Sequence, residues 1–257
     1  MFKFNGGSGA IVCDSCRTII KTGITPDEYN KGKTGVDLCD TCRSDNIAVI
    51  DNFDQIESIM DFSNKNEFYF VQIIQRRKDG NVAQMSSNGY RTIKTYYIYS
   101  IEQLEAKKEK IKELCVHNNA RAYIHVNKRN ATEVALHCIR EYAKLVSQDN
   151  AYQGYRVYDS ACGFCKARGY KATWIIDVDT KDPKVLQEYI NAINQCRGNE
   201  DDKIKHIIPT LHGYHLLTSG FDLQQFRQVS NSLNLPSVDV QKDNPTLLYY
   251  LVPKINE

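Results

Sequence analysis

Asp177 and Asp179 stand two residues apart in the run Trp174-Ile175-Ile176-Asp177-Val178-Asp179, and His212-Gly213-Tyr214-His215 leads into Leu216-Leu217-Thr218. Alternate residues of a strand share a face, so this β-favouring run turns both carboxylates the same way. Two like charges side by side require a cation, and hard carboxylate oxygens suit Mg²⁺ or Mn²⁺. In nucleotide enzymes such ions keep several waters and bridge to substrate phosphates, activating a 3′-hydroxyl and stabilising the departing pyrophosphate. If the two strands are neighbours, His215 approaches the pair, and Asp239 arrives from a third strand in Ser237-Val238-Asp239-Val240. His215 would then contact a triphosphate or its metal rather than act as a nucleophile. The plainer alternative is a strand ending in a solvated acidic loop, since Lys181-Asp182-Pro183 follows at once. His212 is open to a reading as a turn residue without a role, and Asp239 to one as a solvated edge-strand acid.

The cysteines carry a second chemistry. Nine of them in a chain whose first residues hold no signal-peptide apolar core point to reduced thiols and metal ligands before disulfides. Cys13 and Cys16 form one CxxC knuckle and Cys39 and Cys42 another, with 22 residues between them, a spacing that closes one tetrahedral Zn²⁺ site. A closed four-sulfur shell leaves no position for water, so this zinc is expected to be structural and coupled to the folding of its module. Arg17, Lys21, Lys31 and Lys33 lie between the knuckles and suit phosphates, although such ribbons also dock proteins. A lone knuckle, Cys162 and Cys165, supplies two ligands of a second zinc that His137, Cys138 or Cys196 would have to complete. Cys115 and Cys138 fall on apolar helical faces and read as core; His117, His125 and His206 read as structural.

Guanidinium groups bind phosphates bidentately, which makes Arg76, Arg77, Arg121 and Arg129, with Lys242, the candidates for substrate contacts. Tyr96, Tyr97 and Tyr99 could stack bases beside them, with at least one buried by a two-faced strand. The net charge of +2 excludes a histone-like binder but permits a local basic groove. No run approaches the ~18 apolar residues of a membrane helix, so a soluble, cytoplasmic protein is expected.

The elements that must position these residues follow from periodicity. A helix is expected over residues 50–60, strands over 68–74 and 93–99, a helix over 101–116, a strand over 122–126 and a helix over 132–146, a ββαβα order. The second half reads βαββαββ: strand 174–179, helix 183–195 with proline in its first turn, strands 205–209 and 214–218, helix 222–230 capped by Asp222, and strands 237–240 and 246–251. The fold class is α+β, a sheet with helices packed on it.

Asp-x-Asp on a strand, a turn ending in histidine before another strand, and a later apolar-Asp pair together resemble the three-motif core of archaeo-eukaryotic primase-polymerases, over about residues 68 to 251. The cysteine spacing and the apolar periodicity that begins after Asn46 set off a zinc ribbon at 1–48 and a linker helix at 49–66, and the resemblance implies an αβ unit, with the CxxC loop, at 67–170 before an RRM-like catalytic sheet at 171–257. It also implies metal carboxylates at Asp177 and Asp179, a nucleotide-contacting histidine at His215 and a third acid at Asp239. The turn before His215 departs from the family's serine-rich form. The runs 74–79, 120–124 and 242–249 are similar to phage proteins of the T-even type.

Two functions therefore stand as expectations. One is a metal-dependent nucleotidyltransferase of primase-polymerase type, taking nucleoside triphosphates and single-stranded nucleic acid, with structural Zn²⁺ and catalytic Mg²⁺ or Mn²⁺. The other is a non-catalytic zinc-ribbon protein that binds nucleic acid or another protein on a degenerate primase-like scaffold, because a fold alone does not establish activity.

Overall fold

The computed structural model describes residues 2–5, 8–12, 19–24, 49–79, 89–164, 172–198 and 200–252. Cys13, Cys16, Cys39, Cys42 and Cys165 lie outside them, and with them the expected zinc sites. Strands β1 (Phe2–Asn5), β2 (Ser8–Val12) and β3 (Ile19–Ile24) form a small antiparallel sheet in that order.

The rest is α+β, with two larger antiparallel sheets. Strands β4 (Val49–Asp51), β5 (Glu67–Arg76), β6 (Tyr90–Ile98) and β7 (Arg121–Asn130) join the last strand in a five-stranded sheet. The helices of this half are α1 (Phe53–Glu57), α2 (Ile101–Asn118), α3 (Ala131–Ser147) and α4 (Val157–Gly163). Strand β8 (Trp174–Val178), helix α5 (Pro183–Gln195), strands β9 (Ile204–Pro209) and β10 (Tyr214–Thr218), helix α6 (Leu223–Ser232) and strand β11 (Asp239–Gln241) then run as βαββαβ, with sheet order β11-β8-β10-β9. Strand β12 (Pro245–Leu251) returns to the first sheet, whose order is β4-β12-β7-β5-β6. Among the described residues no helix is long and apolar enough to cross a membrane.

Local chemistry explains the helix starts. Ser100 accepts from Gln103 N, Asn130 from Thr132 N and Glu133 N, Asp182 from Lys184 N, and Asp222 from Gln224 N and Gln225 N, so α2, α3, α5 and α6 each begin where a short polar side chain satisfies an orphan amide. Pro183 sits in the first turn of α5, where its missing N–H costs nothing.

Two elements differ from the sequence expectation. The helix expected over 50–60 shrinks to α1, because Val49, Ile50 and Asp51 pair with Leu251, Tyr250 and Tyr249 as an edge strand. The strand expected over 246–251 was assigned to the sheet of the second half; as β12 it lies instead in the first sheet, between β4 and β7. Thr246 to Leu251 are all buried, and a strand with no solvent face needs cover on both sides and a neighbour on each edge, which an inner position in the larger sheet supplies.

Three apolar clusters hold the molecule. Tyr69, Val71 and Ile73 of β5 pack with Leu104 and Ile111 of α2, and this cluster extends to Ile175, Ile208 and Leu217 of the second sheet. Phe68 and Phe70, on the opposite face of β5, meet Val134, Val157 and Ala161 under α3 and α4. Ile176, Val178 and Leu216 turn the other way, onto Tyr189, Ala192, Ile193 and Phe226 of α5 and α6. Because β8 and β10 alternate, Ile175, Asp177, His215 and Leu217 share the face toward the first sheet. Cys115, Cys138, Cys162 and Cys196 are buried, with Cys115 and Cys138 in the core as expected.

Candidate active-site cleft

Register gathers the acids. Asp177 on β8 lies directly opposite His215 on β10 and directly opposite Asp239 on β11. Residues opposite one another in an antiparallel pair project to the same face, so Asp239, Asp177 and His215 form one row across three strands. His215 Nε2 stands 3.4 Å from Asp177 Oδ1, and Gln241 Nε2 donates to Asp239 Oδ2 at 2.8 Å. Asp179 follows the last residue of β8 and is exposed.

The turn before His215 is built against the end of β8. A Cβ on Gly213 would lie 2.0 Å from the Val178 carbonyl oxygen, so only glycine lets the turn come this close. Thr210 fixes the turn: its N–H donates to the Gly213 carbonyl at 2.9 Å, and its hydroxyl accepts from Gly213 N at 3.1 Å. His212 projects from this turn, exposed.

Asp177, Asp179, His212 and His215 line one side of a cleft of about 540 Å³; Arg76, Tyr90, Arg121 and Tyr123 line the other, from the first sheet. Arg76 Nη1 donates to the Tyr123 hydroxyl at 2.9 Å, which aims the guanidinium along this wall. Tyr90 is 46% exposed. A second cavity of about 460 Å³ lies between α5 and residues 236–239; Asp177 and Asp179 line it too, with Asp239. The two carboxylates therefore stand on the ridge between both spaces.

Among the described residues no three His, Cys, Asp or Glu side chains are gathered closely enough to hold a metal ion. Mg²⁺ is commonly held by one or two carboxylates plus substrate phosphates and waters, so Asp177 and Asp179 fit the protein's share of such a site, with the remaining donors brought by a ligand.

The expected phosphate contacts separate. Arg76 lines the cleft, and Arg77 is exposed on the turn after β5. Arg121 reaches the cleft wall, but its Nε donates to Asp79 Oδ2 at 2.8 Å and its Nη2 to Asp79 Oδ1 at 2.5 Å, while Tyr250 stacks on its guanidinium at 4.4 Å. Its bidentate partner is thus a buried carboxylate of the chain itself. Arg129 departs furthest from expectation, being 0% exposed. It donates to the Cys162 carbonyl at 2.5 Å, the Asn127 carbonyl at 3.1 Å and Asp243 Oδ1 at 2.9 Å, and lies 3.0 Å from His125 Nδ1, so it is enclosed away from any phosphate. Lys242 lies 4.8 Å over the Trp174 ring rather than lining the cleft. Cys162 is fully buried and its thiol is pushed up to about 12, first by burial and then by Asp159.

Of the tyrosines, Tyr97 is half-buried, its hydroxyl donating to Asp159, and its ring stacks on Phe70. Tyr96 packs on the core, and Tyr99 remains 41% exposed. Sequence reasoning missed Thr246, whose hydroxyl lies 2.8 Å from His215 Nδ1. It also missed the Tyr90 and Tyr123 wall. The available signal for Thr246 was a lone polar residue heading the apolar run Leu247-Leu248-Tyr249-Tyr250-Leu251. No protein-family model, no curated protein and no solved structure matches the chain, so the resemblance noted above rests on the sequence motifs alone.

Proposed function

We propose that this protein is a metal-dependent nucleotidyltransferase of primase-polymerase type, acting on nucleoside triphosphates and single-stranded nucleic acid. One observation carries the reading: Asp177, Asp179 and His215 line a two-walled cleft whose opposite wall bears Arg76, Tyr90 and Tyr123, while Asp239, opposite Asp177 on β11, lines the adjoining cavity. Support also comes from the connectivity of the second sheet, since βαββαβ with order β11-β8-β10-β9 is the arrangement of ferredoxin-like and RRM-like sheets.

In this reading Asp177 and Asp179 hold Mg²⁺ or Mn²⁺, which when bound supplies charge neutralisation at the phosphates and a more acidic attacking hydroxyl. Arg76 binds phosphate from the facing wall, and His215 donates a hydrogen bond to a phosphate oxygen. Tyr90 and Tyr123 offer ring faces on which a base stacks, an interaction that tolerates any sequence. The expected four-cysteine ribbon, with its structural zinc, holds template or a partner protein.

The rival reading, a non-catalytic binder of nucleic acid or protein, is favoured by the lack of a three-donor metal shell among the described residues. Thermal melting with millimolar Mn²⁺ and ATP separates the two. The transferase reading expects a stabilisation of about 2.7 kcal/mol once ligand reaches a hundredfold its dissociation constant, lost in Asp177→Asn, together with labelled-nucleotide incorporation that Asp177→Asn abolishes. In the metal-free protein Asp177→Asn should melt no lower than wild type, because it relieves repulsion between neighbouring carboxylates. A wild-type curve indifferent to Mn²⁺ and ATP selects the binder.

A further inference from the structure

His215 is buried, and both of its ring nitrogens face protein groups. Nε2 looks toward Asp177 Oδ1 at 3.4 Å, while Nδ1 lies 2.8 Å from Thr246 Oγ1. Thr246 is 0% exposed and belongs to β12, so this contact passes from the first sheet to the second. A neutral imidazole carries one proton, and the hydrogen bond made by one nitrogen decides which nitrogen bears it. A lone pair on Nε2 would confront the Asp177 carboxylate. A proton there is attracted to it, and Nδ1 must then accept from the Thr246 hydroxyl.

We propose that Thr246 is a positioning residue: its hydroxyl donates to Nδ1 and holds His215 as the Nε2–H tautomer, with the donor aimed into the cleft. A histidine so held presents a hydrogen-bond donor, and its acceptor nitrogen is spent on Thr246, so it is unsuited to take a proton from a substrate hydroxyl.

The start of β12 is anchored well enough to set such a contact. Asp243 Oδ1 accepts from Arg129 Nη1 at 2.9 Å and Asn127 Nδ2 at 3.3 Å, and Asn127 Nδ2 also donates to the Lys242 carbonyl at 3.3 Å. One residue past Thr246, the Leu247 carbonyl accepts from Asn52 Nδ2 at 2.8 Å; the same amide group donates to the Pro209 carbonyl at 3.0 Å, tying β12 to the end of β9. Arg129, expected at a phosphate, acts instead two steps behind the site by fixing the loop that delivers Thr246.

The tautomer rests on the two contacts, to Asp177 and to Thr246; its use, donation to a phosphate oxygen, rests on the function proposed above. The test keeps the two apart. In the full chain labelled with ¹⁵N-histidine, long-range ¹H–¹⁵N spectra at pH 8 should show His215 protonated at Nε2. Thr246→Ser should keep that signature, and Thr246→Val, of nearly equal volume, should shift the His215 Nδ1 resonance toward that of a nitrogen accepting no hydrogen bond, while Asp177 still favours the proton on Nε2. ATP affinity should fall about tenfold in Thr246→Val and stay near wild type in Thr246→Ser. A wild-type His215 protonated at Nδ1, or a Thr246→Val spectrum unchanged from wild type, overturns the proposal, and the wild-type spectrum decides it even if the valine variant fails to fold. Should wild type show the Nε2–H form and yet bind no ATP, the positioning role is upheld and the nucleotide reading falls.

Discussion

Two histidine-aspartate groups, one enclosed and one at a cleft, are assembled differently. Around Arg129 the charges are closed on themselves: the guanidinium meets two carbonyls, Asp243 and the His125 ring. Around Asp177 the acids border open space: Asp177 meets His215 and lines two cavities with Asp179, and Asp239 lines the second of them. The first group is a fastening. Burying an ion is tolerable when every lone pair and proton has a partner, and the reward is a fixed geometry. The second leaves negative charge where a cation and a phosphate-bearing ligand can reach it. The difference teaches that residue type does not assign function here; the number of partners and the exposure do.

The sharpest way to break the contrast is Arg129→Ala. Removing one partner of a buried ion pair strands the other, so the loss should be about 3–5 kcal/mol, read by urea or thermal unfolding. Asp177→Asn, by comparison, should cost no stability in the absence of metal. A near-silent Arg129→Ala would mean the fastening is dispensable.

His125 sharpens the same comparison through pH. Its folded value is lowered to about 3, first by burial and then by the Arg129 charge, against an ordinary 6.5. Above pH 6.5 both folded and unfolded chains carry it neutral. Below, the unfolded chain takes up a proton that the folded chain refuses, so stability falls by roughly 1.4 kcal/mol per pH unit through the window toward 3. His125→Gln, whose amide oxygen can still accept from Arg129, should flatten that decline between pH 6 and 4 in melting experiments. Equal slopes for the two proteins would place the acid sensitivity elsewhere.

Gly213→Ala tests how the cleft side is built. The new methyl would meet the Val178 carbonyl, so the turn must move away from β8, at about 1–3 kcal/mol. Because His212 and His215 ride on this turn, ATP binding should fall further than stability alone explains. A variant that melts and binds like wild type would show that the turn has room to shift.

Much of this arrangement was legible in sequence, and the gaps have physical causes. Periodicity located α5 and α6 closely, because each buries one face and starts with a recognisable cap, and β8 and β10 were legible as short β-favouring apolar runs. The two-residue spacing of Asp177 and Asp179 and the position of His215 at the head of its strand were enough to place them on one cleft. The partner of β12 was not legible, since a strand buried on both faces carries no alternation to say which sheet it enters. Nor could the fates of the arginines be read. Arg129 and Arg76 are the same residue type at strand ends, and what separates them is whether a distant carboxylate, Asp243 in the case of Arg129, folds back onto the guanidinium. Thr246 became meaningful only when β12 was seen to stand against β10's histidine.

The smallest effect concerns Arg76, the cationic counterpart of the acidic row. Its guanidinium, held by the Tyr123 hydroxyl at 2.9 Å, lines the cleft opposite Asp177, while Arg77 projects from the turn just beyond. Neutralising one phosphate contact on a single strand changes the slope of log affinity against log salt by about 0.7, so Arg76→Ala should flatten the slope for an oligothymidine by about that amount, and Arg76→Ala with Arg77→Ala by about twice as much. Arg129→Met, which removes a cation that touches no solvent, should leave the slope unchanged in whatever fraction stays folded. The three measurements together ask whether exposure decides which arginines serve the ligand. A slope that responds to Arg129 and ignores Arg76 would reverse the assignment of the two groups and move the nucleic-acid path away from the cleft.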